Sequence, residues 1–149
     1  MSYGTASGPA TGGVGPAGGY DKPLPKITPL NKGFWDYARQ HQLALQVCTK
    51  CGDIHFPPGP VCPKCLSDAQ EWRPVSGRGR LESWVEFHRA YWPGFAASLP
   101  YRVCLVKLAE GPLLASTLVG ETPEIGAPLQ VVFDAVTDEV TLPKFRRAD

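Results

Sequence analysis

The chain has 149 residues, of which 15 are basic and 14 acidic, for a formal net charge of +1. That length holds one ordinary domain or two very small ones. The charge balance gives no support for a broad nucleic-acid or anionic-membrane surface, and no run of eighteen apolar residues is present to span a bilayer. The cysteine pattern and the absence of a secretory leader point to the cytoplasm.

Residues 1–22 are dominated by Gly, Pro, Ala, Ser and Thr. So little of this can be buried that it reads as a disordered tail. Residues 23–42 read as a helical arm, with the helix itself over Pro29 to Gln42. Phe34, Tyr37, Ala38 and His41 recur there at helical spacing, and Trp35 lies off the stripe. A lone short helix needs a cover, so the arm either packs on its own domain or docks on a partner.

Residues 43–74 form the next unit. Leu43 to Val47 alternates, as does Ile54 to Phe56, which predicts a hairpin. Its turn carries Cys48-Thr-Lys-Cys51-Gly52, and Cys62-Pro-Lys-Cys65 follows ten residues on. Two such knuckles bring four thiolates to one point, the donor set of a closed structural zinc site. Iron suits four sulfurs as well. Two disulfides or a redox dithiol fit less well, because Cys-x-x-Cys pairs rarely close as structural bridges and redox use needs one motif at a helix start. Gly52 suits the bend after the first knuckle, whereas Leu66 holds the matching position after the second. A closed site has no open position for water, so it is structural and not catalytic.

Residues 75–149 read as repeated strands without helices, near 81–87, 101–108, 113–119, 129–136 and 140–142. Five short strands suggest a small OB-fold barrel. Leu81, Val85 and Phe87 are expected on one face of the first strand, and Glu82 and Glu86 on the other. Cys104 reads as a small buried apolar residue. Arg89, Tyr91, Trp92 and Phe95 crowd one connection, either as a plug over the barrel end or as a contact surface. Arg78, Arg80, Arg89 and Arg102 are candidate phosphate partners. His41, His55 and His88 stand beside no nucleophile in sequence, and Ser76-Gly-Arg-Gly79 is too short for a phosphate loop. A nucleic-acid-binding module remains an alternative, since zinc ribbons and OB-folds both occur in such proteins.

An ordered set of short motifs joins these pieces: Phe34-Trp35, Cys48-x-x-Cys51-Gly52, Phe56-Pro57-Pro58, Cys62-Pro63-x-Cys65, Glu71-Trp72, Ser76-Gly77-Arg78-Gly79, Pro100-Tyr101, Glu110-Gly111-Pro112, Ile125-Gly126 and Leu142-Pro143-x-Phe145. Over residues 23–146 the chain resembles the DUF35 family of zinc-ribbon OB-fold proteins. The resemblance implies a mainly β protein with an N-terminal helical arm, a rubredoxin-like zinc ribbon and a C-terminal five-stranded OB barrel. It also implies a small non-catalytic partner of a thiolase-fold enzyme acting on acyl-CoA, or of a hot-dog-fold hydratase. Trp35 and the 89–95 aromatics would then face the partner or CoA.

Overall fold

The structure, a computed structural model, describes residues 20–149. The tail expected over 1–22 therefore lies outside the described residues, apart from its last three. Two of those three are tied down: the Asp21 carbonyl accepts the indole N–H of Trp92 at 3.0 Å, and Lys22 lies over the Phe95 ring.

Helix α1 spans Lys32–Arg39, shorter at both ends than the sequence suggests. Its C-terminus explains why. Gln42 N–H returns to the Tyr37 carbonyl and His41 N–H to the Ala38 carbonyl, with His41 at φ 57. This is a Schellman stop with histidine where glycine is usual. His41 thus leaves the helical stripe and stacks on Phe133 of the barrel. Phe34 and Ala38 are buried, so the arm packs on its own chain.

The ribbon is a three-stranded antiparallel sheet in the order β2-β1-β3, from β1 (Leu43–Cys48), β2 (Ile54–His55) and β3 (Gln70–Val75). Every residue of β1 is buried, as a central strand requires. The third strand does not read as one in the sequence, because Pro74 interrupts it. An edge strand tolerates proline on its unpaired side.

The barrel closes in the order β4-β5-β6-β8-β7, from β4 (Arg78–Phe87), β5 (Tyr101–Leu108), β6 (Leu113–Leu118), β7 (Pro128–Ala135) and β8 (Thr141–Arg147). All pairs are antiparallel except β6 with β8. The expected facing of β4 needs correction. Leu81 pairs with Val106 and Ser83 with Leu105, so Glu82 is an extra residue. A bulge of this kind reverses the alternation beyond it. Leu81 enters the core, while Val85 is 54% exposed and shares the other face with Phe87. The simple alternation of Glu82 and Glu86 is lost with it.

One hydrophobic core runs through all three units. Phe34 of the arm and Leu43 and Leu45 of the ribbon join Leu81, Val106, Leu129 and Phe145 of the barrel. Gly33 marks the tightest approach: a Cβ there would overlap the Trp72 indole. Gly33→Val should therefore lift the arm off the ribbon and cost about 1–3 kcal/mol, the usual range for overpacking. Denaturant unfolding with tryptophan emission measures both effects.

Candidate metal centre and docking surface

The metal centre is built at the end of β1. Cys48 is the last residue of that strand, and its N–H bonds the Asp53 carbonyl across the knuckle turn. The connection between knuckles is fixed by the buried side chain of Gln46, whose carbonyl oxygen accepts the Gly59 N–H. Gln70 of β3 donates to the Gly59 carbonyl from the opposite side. The knuckles repeat one geometry. Gly52 N–H bonds the Cys48 carbonyl, and Leu66 N–H bonds the Cys62 carbonyl, both at 2.9 Å. Gly52 sits at φ 78 and Leu66 at φ 65. The sequence departure at Leu66 thus changes the residue without changing the turn.

All four sulfurs lie within 4.8 Å of one another. Cys48 Sγ is 3.5 Å from Cys65 Sγ, and Cys51 Sγ is 3.6 Å from Cys62 Sγ. A tetrahedron with metal–sulfur bonds of about 2.3 Å needs sulfurs about 3.8 Å apart. The donor set fits zinc, which Cys48, Cys51, Cys62 and Cys65 would hold. The spacing is far too long for S–S bonds, which argues against disulfides. Backbone N–H groups of Cys51 and Lys64 point at the sulfurs of Cys48 and Cys62, each at 3.4 Å. The first of these is the main reason the Cys48 thiol is drawn down to about 6. At Cys51 the Asp53 N–H acts downward too, yet desolvation and the sulfurs of Cys62, Cys65 and Cys48 push it up to about 12.

Cys104, His41 and His88 lie outside this cluster. Burial pushes the Cys104 thiol up to about 11, the opposite of an activated nucleophile. His88 is exposed beside Glu86, and His41 is spent on Phe133.

The remaining candidate residues fall into three places. Trp35 packs edge-on against Phe34 and lines an apolar groove of about 430 Å³ with Phe56, Val103, Thr117 and Pro143. This groove lies where arm, ribbon and barrel meet. Its walls come from distant parts of the chain, so no sequence window reveals it. The 89–95 connection folds back over the barrel end. Phe95 and Phe87 both stack on Tyr101, and residues 93–98 make a 3-10 turn under the strap from 20–22. Tyr91 stays 72% exposed, with the Arg89 guanidinium over its ring.

The four arginines are not brought together. Arg102 is bonded to the Thr122 hydroxyl and the Gly120 carbonyl. It pairs with Glu86, eight residues or about 26 Å along β4 from Arg78. Arg78 and Arg80 instead join Lys107 and Arg146, since Arg80 pairs with Lys107 while Arg78 and Arg146 both pair with Gln130. This local strip of four cations is hidden by the near-neutral total.

Two outcomes follow. Leu66 is exposed and holds a left-handed backbone, so Leu66→Gly should stabilise the metal-loaded ribbon by about 1 kcal/mol in chemical denaturation. Cys51→Ser with Cys62→Ser should abolish zinc binding and unfold the ribbon, read by metal analysis and circular dichroism.

Comparison with known proteins agrees with this architecture. Two family models match: the rubredoxin-like zinc ribbon domain of ChsH2 over residues 35–71, and the C-terminal OB-fold domain of ChsH2 over 72–134. A probable enoyl-CoA hydratase alpha subunit of Thermomonospora curvata is 37% identical over 130 residues, 85% of this chain; the chain spans only 40% of that protein. A DUF35 domain-containing scaffold protein of Methanothermobacter thermautotrophicus is 31% identical, with 68% of this chain and 78% of that one covered. Among solved structures, a chain of the Ltp2-ChsH2(DUF35) aldolase is 36% identical with a TM-score of 0.77, covering 85% of this chain and all of that one. The chain belongs to the DUF35 family of zinc-ribbon OB-fold proteins.

Proposed function

We propose that this chain is a non-catalytic accessory subunit of an acyl-CoA-processing complex, and that its partner is a thiolase-fold enzyme. One observation carries the reading. The chain pairs a closed metal site and an unactivated buried thiol with an apolar groove where its three units meet and an exposed aromatic on a barrel connection. Those are the properties of a surface made for another protein, not of a reaction centre. Relatives support the class of partner. One is named a hydratase alpha subunit acting on an acyl-CoA, one a scaffold protein, and one a chain of an aldolase. Identity to the two is alike, 37% and 36%, but the aldolase chain is matched over its full length and the hydratase subunit over 40% of its own, which favours an aldolase-type partner over a hydratase. The partner brings the nucleophile and the acid–base groups. This chain seats Trp35 and the groove around it on the partner, and Arg89 and Tyr91 border the shared CoA site.

The Arg78, Arg80, Lys107 and Arg146 strip favours a second reading, binding of single-stranded nucleic acid, since clustered cations bind phosphates whatever the net charge. Titration with labelled single-stranded DNA at low salt separates the two: the accessory-subunit reading predicts no salt-dependent binding.

Coexpression with a neighbouring thiolase-like gene, followed by size-exclusion chromatography and an acyl-CoA cleavage assay, tests the main reading. The complex should form and the isolated chain should be inactive. Trp35→Ala should weaken the complex by about 2–4 kcal/mol, roughly 30- to 1,000-fold, if the indole is a buried anchor. A partner fully active and stable without this chain would overturn the proposal.

A further inference from the structure

His55 is a buried polar side chain whose ring makes no hydrogen bond among the described residues. It ends β2, a strand of two residues held to β1 through the pairs Gln46 with His55 and Val47 with Ile54. It is only 8% exposed, yet neither ring nitrogen makes an aligned hydrogen bond. Buried polar groups are almost always satisfied, so an orphaned imidazole points to a missing acceptor or ligand. Two acceptors are close. Nδ1 lies 3.3 Å from the Asp53 carboxylate without the alignment of a bond. A ring nitrogen, an Asp53 oxygen and Cys62 Sγ also all lie within 4.8 Å of one another.

We propose that His55 is a positioning residue of the metal centre. With the ring lying beside the Asp53 carboxylate but not bonded to it, the imidazole N–H donates to the Cys62 thiolate when that sulfur is bound to metal. Cys62 already takes the Lys64 N–H, so it would carry two donors. The reason is electrostatic. Four thiolates around a divalent ion leave two excess negative charges, and Cys62 is a fully buried ligand that water cannot relieve. A thiol is a weak acceptor and a metal-bound thiolate a strong one, so the bond belongs to the loaded state. His55 thereby couples β2 to the metal, which a two-residue strand needs. Asp53 serves twice: its carbonyl accepts the Cys48 N–H and its carboxylate faces the His55 ring.

The inference rests on the four-cysteine metal site, and cobalt separates the two claims. Stoichiometric Co²⁺ with the visible bands of tetrahedral sulfur ligation establishes the site itself. The sulfur-to-cobalt charge-transfer band then reports on the hydrogen bond. His55→Phe keeps the bulk and removes the N–H; the band should move to lower energy, because an unbonded thiolate gives up charge more easily. His55→Gln, which retains an N–H donor, should move the band back towards the parent position. Zinc affinity, read by competition with a chromophoric chelator, should fall roughly 10- to 100-fold in His55→Phe. Ile54→Ala is the control for mere loosening of β2, and should leave the band in place. The unaltered protein gives an answer even if the variants fail to fold. Loaded with ¹¹³Cd, it should show a slowly exchanging imidazole N–H coupled to the metal. Absence of that coupling, or a His55→Phe variant with unchanged band and zinc affinity, would overturn the proposal.

Discussion

The meeting of four sulfurs at the end of β1 is the constraint on which the other contacts depend. Residues 43–74 hold too few apolar groups to fold as an independent unit. Apparent binding free energies for structural zinc are about 10–16 kcal/mol, as large as the whole stability of an ordinary domain. A metal held by the four cysteines would fix the direction in which the chain leaves Cys48, and hence where β2 and the 57–60 connection lie. Gln46 and Gln70 then tie that connection back to the sheet through Gly59. The ribbon in turn presents Leu43, Leu45 and Trp72 to the arm and barrel. Removal of metal should therefore be felt well beyond the knuckles, because the core that joins ribbon to barrel loses its edge.

The three units are locked at their junctions by aromatic and close-packed contacts. Phe34 touches Trp35 and Phe56, and His41 stacks on Phe133, so the arm bridges ribbon and barrel. Gly33 lets α1 approach Trp72 closely, and Gly94 does the same for the Asp21 carbonyl. These contacts use most of the aromatic surface that a barrel this small has no need to bury. They leave the groove beside Trp35, the ring of Tyr91 and parts of Trp84 and Trp92 open to solvent. The groove proposed to meet a partner is thus a by-product of how the units are joined, which is why no single stretch of sequence announces it.

Much of this architecture is legible in the sequence. The knuckle spacing announces the four-sulfur site, and the five strand runs with turn residues between them announce a small barrel. Other features are hidden for physical reasons. Pro74 disguises an edge strand, and a bulge at Glu82 inverts the facing of Val85 and Phe87. His41 stops α1 in a conformation usually left to glycine, which no periodicity shows. The arginines group by residue type in the sequence, but strand direction separates Arg102 from Arg78, while register alone unites Arg78 with Arg146. His55 reads as one alternating residue in a short strand; only the fold places it against Cys62 and Asp53.

The central claim is that this chain completes an enzyme and is not one itself. Native mass spectrometry of the untagged protein, isolated from its own cells at low ionic strength, addresses that most directly. The account predicts a hetero-oligomer in which this chain carries one zinc and sits with an acyl-CoA-processing subunit. A species found free as a zinc-loaded monomer that turns over acyl-CoA, or one recovered with nucleic acid instead of a second protein, would contradict it.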